Sequence, residues 1–181
     1  MEAAGKPELR RHFRLVRKQL LSDIQPVLAA AAQDALPALM SPGKRLGLYW
    51  PVGSEPDLRQ LAALVLCALP LVEDGQLTYR PWRPGEELGP DQCGIPAPQG
   101  SPPCRPGDLD LLLVPALALD RQGIRLGSGG GWYDRLRAAP AWRAIPALAV
   151  LPSACLRPAL PRDSWDVPFD GWLDERGLHW L

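Results

Sequence analysis

Apolar residues first recur at helical spacing, at Leu9, Phe13, Val16 and Leu20. That period predicts an amphipathic helix. Arg10, Arg14, Arg17 and Lys18 lie off the stripe, and Arg14 and Arg17 read as part of a solvated basic face. A second helix is expected over Ile24 to Ala35, rich in alanine and closed by Pro37. Pro42-Gly43 marks a turn, Arg45 to Trp50 a short strand, and Pro51-Val52-Gly53 its break. Ser54 then has the position of a helix cap, with Pro56 in the first turn and Asp57 three residues after the cap. That helix is expected to run to about Leu69.

The pattern changes in the middle of the chain. Leu69 to Val72 and Leu77 to Pro81 read as strands joined by a turn at Glu73-Asp74-Gly75. Trp82 to Asp108 is dense in proline and glycine and lacks a period. Its interspersed Trp82, Leu88 and Ile95 predict an ordered excursion packed on the body, and no chemistry is assigned to it. Leu109 to Val114 is almost wholly apolar, as expected of a central strand buried on both faces. Trp132 to Ala138 starts a helix. Ala144 to Leu151 is a buried strand in which Pro146 favours a place near an edge. Strands alternating with helices give an α/β sheet.

Composition narrows the class. The 181 residues are 46% hydrophobic and carry no net charge, so one domain with an ordinary core is expected, without a nucleic-acid or acidic-membrane partner. No apolar run is long enough to span a bilayer. Cys67, Cys93, Cys104 and Cys155 form no C-x-x-C pair and have no histidine at zinc spacing. Reduced thiols and a cytoplasmic location are the expectation. His12 and His179 read as structural.

One stretch needs a chemical explanation. Gly123 to Arg135 reads Gly-Ile-Arg-Leu-Gly-Ser-Gly-Gly-Gly-Trp-Tyr-Asp-Arg. Glycines this dense allow left-handed backbone and close approach, and successive N–H groups can point into one anion-binding concavity. A helix starting near Trp132 faces its positive end to the same place. Arg125 adds a charge from one side, and Asp134 can hold a cation from the other. A P-loop would need Lys-Ser or Lys-Thr after the last glycine, and a dinucleotide fingerprint would need glycine at Trp132. The reading is a phosphate cradle of a different kind. A second informative place follows the strand ending at Trp50. Trp50 could stack on a flat heterocycle, and Glu55 could accept hydrogen bonds from an aminopyrimidine edge. A core tryptophan and a glutamate that favours a helix N-terminus account for these two residues equally well.

Arg125-Leu126-Gly127-Ser128-Gly129-Gly130-Gly131-Trp132-Tyr133-Asp134-Arg135, preceded by Pro115 to Asp120, resembles the signature of 5-formyltetrahydrofolate cyclo-ligases of bacterial type. Lys6-Pro7-Glu8-Leu9-Arg10 is similar to that family's opening motif. Tyr49-x-Pro51 with Glu55-x-Asp57 is similar to its folate-side motif, and Trp165-Asp166-Val167-Pro168 to its closing segment. Trp132 stands where the family usually has the first of two tyrosines, Leu58 stands at a usual threonine, and Gly130 replaces a lysine that some members carry.

The resemblance implies a single three-layer α/β/α domain over residues 1–181, with a central, mostly parallel sheet. It implies that ATP and magnesium drive cyclisation of a small folate substrate, with neither nucleic acid nor membrane as partner. It places ATP on Lys6, Pro7, Glu8, Leu9 and Arg10 and along Arg125, Leu126, Gly127, Ser128, Gly129, Gly130, Gly131, Trp132 and Tyr133. Arg125 would be the catalytic cation. Folate would lie against Trp50, Glu55 and Tyr133. Magnesium would sit on Asp134 and Asp166, the latter otherwise a turn residue, with Asp170 a weaker substitute.

Overall fold

The computed structural model describes residues 5–181. The chain opens with α1 (Lys6–Ala35), one continuous helix where two were expected. Its buried residues Phe13, Arg17, Ile24, Leu28 and Ala32 keep one face in phase throughout. Pro26 lies inside this helix but is exposed. The Ser22 carbonyl that it leaves without an N–H donor is on the exposed side as well, within reach of water. Proline therefore does not end the helix.

The strands follow as β1 (Arg45–Gly47), β2 (Cys67–Glu73), β3 (Gln76–Trp82), β4 (Leu88–Pro90), β5 (Pro96–Pro98) and β6 (Leu109–Pro115). After them come β7 (Ala118–Asp120), β8 (Arg125–Leu126), the helices α2 (Trp132–Ala138) and α3 (Pro140–Arg143), β9 (Ala147–Val150), β10 (Leu156–Arg157), β11 (Gly171–Asp174) and β12 (Gly177–Trp180). The main sheet has the order β12-β11-β9-β6-β1-β2-β3. Its five inner strands are parallel, and a hairpin return closes each edge. The β2–β3 turn needs left-handed backbone at Asp74 (φ 51°) and Gly75 (φ 72°), the pair of conformations a two-residue hairpin favours.

Two cores flank this sheet. Leu111, Leu113, Leu148 and Val150 face one side and meet Ile24, Leu28 and Ala32 of α1. Leu112, Val114, Ala147 and Ala149 face the other and meet Phe13, Leu119, Leu126 and Leu136. The alternation along β6 and β9 is that of strands buried on both faces. The α/β fold with a mostly parallel sheet is as expected, and part of one outer layer is the small sheet β10-β7-β8.

Three further expectations change. β9 lies between β6 and β11, away from the edge, because Pro146 precedes it and supplies only a carbonyl, which accepts from Leu112 N at 2.9 Å. The helix expected from Ser54 to Leu69 is a single 3₁₀ segment, Arg59–Ala63. Gln25 holds both backbone groups of Asp57, and Tyr49 Oη donates to the Pro56 carbonyl at 2.6 Å, so these backbone groups bond outside any helix. Arg17 is 4% exposed rather than solvated. The 82–108 excursion is ordered, with the hairpin β4–β5 and a 3₁₀ turn at Pro106–Asp108.

Candidate active site

Strand order reverses between β1 and β6: the chain leaves β1 toward β2 and leaves β6 toward β9. Loops diverging from the carboxyl ends of such a pair open a crevice. One loop here carries Tyr49 to Glu55, and the other leads from Pro115 to the glycine segment. Together with Lys6 and Arg10 they line a cleft of about 460 Å³. Leu126, Gly127, Ser128, Gly129, Gly130, Gly131, Trp132, Tyr133 and Asp134 line it as well, with Trp50, Glu55, Arg125 and Asp166. Pro7, Glu8 and Leu9 do not. They belong to the first turn of α1, where Glu8 is exposed and Leu9 packs toward the core.

The glycine segment has a position-by-position cause. Gly129 (φ 116°) and Gly131 (φ 66°) are left-handed, and Gly131 caps α2. Gly127 has ordinary backbone, but a Cβ on it would lie 2.5 Å from Arg125 Nη1. A Cβ on Gly130 would lie 2.6 Å from Trp132 Nε1, so the glycine at 130 and the tryptophan at 132 are sterically linked. Helix α1 grips the loop by its carbonyls. Arg10 Nε donates to Gly127 O at 3.0 Å, and exposed Arg14 Nη2 donates to Ser128 O at 3.2 Å. Arg135 stacks over the Trp132 ring at 4.3 Å.

Arg125 sits beneath this loop. Its Nη1 donates to Pro115 O at 3.0 Å, and its guanidinium lies 5.4 Å from the Tyr133 ring and 5.5 Å from that of Phe169. Burial lowers its pKa, opposed by Asp134, Tyr133, Glu55 and Asp166. Its Nε is buried without a partner among the described residues. A cation in this state is ready to receive an anion.

Across the cleft, Glu55 Oε2 accepts from Val52 N at 2.9 Å, while Oε1 lies 4.0 Å from Arg17 Nη2. Burial raises its pKa, and Val52 N–H, Arg17 and Arg125 oppose that rise. Trp50 is clasped between Arg59, 4.0 Å over its face, and Trp82 edge-on at 6.3 Å. Burial lifts the Tyr133 phenol well above its ordinary pKa, so it stays a neutral hydrogen-bonding group.

Asp166 Oδ2 accepts from Lys6 Nζ at 2.8 Å and from Asp163 N at 2.7 Å, and Lys6 Nζ also reaches Asp163 at 2.6 Å. Burial lowers the Lys6 pKa, but these carboxylates outweigh it and the net direction is upward. Asp134 Oδ1 lies 3.4 Å from Val167 N. Both aspartates border the cleft and offer hard oxygen donors that suit magnesium. Among the described residues no three His, Cys, Asp or Glu side chains gather around one point. A cation held here would complete its shell with phosphate and water oxygens, and Lys6 would compete with it for Asp166. Asp170 is committed elsewhere, to Arg137 and Ala147 N.

Several further residues line the cleft outside the expected set. Asp163 and Trp165 flank Asp166, and Trp165 is 68% exposed. An exposed tryptophan in a polar loop was the available signal. Asp91, Cys93 and Ile95 bring the Pro/Gly-rich excursion into the cleft wall, which no periodicity announced.

These observations lead first to a class, an α/β enzyme with an anion-receptive cleft at the switch point of its sheet. The family model described as "5-formyltetrahydrofolate cyclo-ligase family" matches residues 2–174. The chain belongs to that family, which is one of ligases. It is 33% identical over 183 residues to the 5-formyltetrahydrofolate cyclo-ligase of Mycolicibacterium smegmatis, covering 92% of each chain. Among solved structures it resembles the 5,10-methenyltetrahydrofolate synthetase of Aquifex aeolicus, with TM-score 0.76 and 29% identity over 97% of this chain and 92% of that one. The synthetase of Mycoplasma pneumoniae shares the fold, with TM-score 0.71 and 20% identity over 95% of this chain and 99% of that one. No helix among the described residues is long and apolar enough to cross a membrane.

Proposed function

We propose that this protein converts 5-formyltetrahydrofolate to 5,10-methenyltetrahydrofolate in the cytoplasm, cleaving ATP to ADP and phosphate with magnesium present. The formyl oxygen is a poor leaving group. Transfer of the γ-phosphoryl group to it lets it depart as phosphate after the second folate nitrogen attacks the formyl carbon. Such transfer depends mainly on positioning and charge neutralisation. The glycine N–H groups of the 127–131 loop and Arg125 hold the phosphates, with Lys6 and Arg10 closing from α1. Trp50, Glu55 and Tyr133 orient the folate, Glu55 as an acceptor for its aminopyrimidine N–H groups. Asp134 and Asp166 would hold magnesium, which would supply positive charge beside the transferring phosphoryl group. Ring closure gains from having both reacting atoms on one molecule.

The observation that carries this reading is the facing of two loops across one cleft, the glycine loop with Arg125 on one side and Trp50 with Glu55 on the other. The test is the absorbance of the methenyl product in a mixture of purified protein, 5-formyltetrahydrofolate, ATP and magnesium. The reading requires growth that stops when ATP or magnesium is omitted. No growth from folded protein that still binds ATP would refute it and point to a different acceptor at the same nucleotide site.

A further inference from the structure

Arg17 is a buried cation that no part of the cleft lining includes. It lies on α1 at the point where that helix passes from one core, at Phe13, to the other, at Ile24. Its Nε donates to Ser54 Oγ at 3.0 Å, and its Nη1 donates to Ala116 O at 3.1 Å. Its Nη2 stands 4.0 Å from Glu55 Oε1, with both side chains nearly buried at 5% and 11% exposure. One guanidinium therefore ties the helix to both loops that diverge at the switch point, through Ser54 after β1 and Ala116 after β6. A carboxylate this buried needs a compensating charge.

We propose that Arg17 is the positioning residue of the cleft, fixing the aim and the charge of the Glu55 carboxylate from behind. This inference rests on the reading of Glu55 as a folate contact. The groups that face Glu55 are Arg17 from α1, Arg125 from β8, Tyr133 from α2 and Tyr49 after β1. The two tyrosines are neutral across the working range, because burial raises both phenols. Arg125 belongs to the phosphate side. Val52 N–H, Arg17 and Arg125 all favour the ionised carboxylate, and of the two cations Arg17 is the one that also bonds to the Glu55 loop, through Ser54 Oγ. Without Arg17 the carboxyl stays protonated to higher pH and loses an acceptor for the aminopyrimidine N–H groups. Folate binding carried by the carboxylate is present above the Glu55 pKa and lost as pH falls through it.

The experiment titrates binding of 5-formyltetrahydrofolate alone, without ATP, by quenching of tryptophan fluorescence from pH 4.5 to 8. For Arg17→Gln the acid limb should move upward by about one pH unit, with Kd on that limb weakened several-fold and the limit at pH 8 much closer to that of the unaltered protein. Arg17→Lys should return most of the limb. A lower melting temperature for Arg17→Gln with an unchanged limb would overturn the proposal and leave Arg17 a core group only. If Arg17→Gln does not fold, Ser54→Ala removes the bond that ties the guanidinium to the Glu55 loop while keeping its charge and its bond to Ala116 O. A Kd raised at all pH values then supports positioning, and an unchanged Kd overturns it. Glu55→Gln separates the two levels. If it binds folate with the limb and Kd of the unaltered protein, the folate reading of Glu55 fails. If it abolishes the limb and Arg17→Gln leaves it in place, only the Arg17 proposal fails.

Discussion

Replacing Gly127 by alanine tests the phosphate cradle through one methyl group. Gly127 has no positive φ, so its backbone accepts alanine without strain. The new Cβ would lie 2.5 Å from Arg125 Nη1, 2.7 Å from Nη2 and 2.9 Å from Cζ, where ordinary contact begins near 3.4 Å. The guanidinium must therefore retreat by roughly 1 Å, a displacement that costs about a hundredfold where positioning carries catalysis. Retreat also strains the hydrogen bond to Pro115 O and the packing against Tyr133 and Phe169. Overpacking of this kind costs about 1–3 kcal/mol, or a fall in Tm of roughly 2–12 °C for a chain of this size. The assay is steady-state methenyl formation against ATP concentration, beside a thermal melt. kcat/KM for ATP should fall about a hundredfold in protein that remains folded at the assay temperature. Gly100→Ala is the control, because a Cβ there meets nothing within 4 Å; it should behave as the unaltered protein. Full activity of Gly127→Ala would refute the placement of Arg125 against the reacting phosphate.

Three further outcomes follow from the same geometry. Asp134→Asn should lower turnover by about a hundredfold or more with an unchanged circular dichroism spectrum, and a near-normal rate would remove Asp134 from the metal site. Glu55→Gln should raise Tm at neutral pH while weakening folate binding. Burial raises the folded pKa of Glu55, so its contribution to stability is fully present below its unfolded value near 4.5 and is lost as pH rises through the folded value. The Tm advantage of glutamine should therefore vanish in melts below that pH, and an advantage that persists there would contradict the sign. Cys93 should be the fast-reacting thiol toward a maleimide in the native protein, and bound ATP and folate should protect it. It is exposed at the cleft wall, whereas Cys67, Cys104 and Cys155 are buried, and burial pushes the Cys67 and Cys155 thiols up to about 12 and about 11. Equal labelling of two thiols, read by mass spectrometry, would contradict this.

What the sequence made legible was whatever acts locally. Gly129 and Gly131 carry backbone that other residues rarely adopt, and Gly127 and Gly130 leave space that a Cβ would fill, so the glycine segment advertised itself. β6 was legible because burial on both faces leaves apolar residues at every position but the half-buried Asp110. Arg17 lies off the stripe of Leu9, Phe13, Val16 and Leu20, whereas the buried face follows Phe13, Arg17, Ile24 and Leu28 at steps of four, seven and four. A buried arginine interrupts such a face without announcing its partners, which lie 37 and 99 residues away. The segment after Ser54 carries good capping signals, yet Gln25 and Tyr49 claim its backbone groups from outside. Tertiary hydrogen bonds of that kind leave no local mark. Asp91, Cys93 and Ile95 reach the cleft through the path of a long excursion, which composition does not encode.

The most direct measurement follows methenyl formation and phosphate release in the same reaction, with ATP and 5-formyltetrahydrofolate both saturating. One phosphate should appear for each methenyl group formed, and neither product should form when the other substrate is omitted. Phosphate release that proceeds without the folate, or ring closure without phosphate, would contradict phosphorylation of the formyl oxygen as the step this cleft carries out.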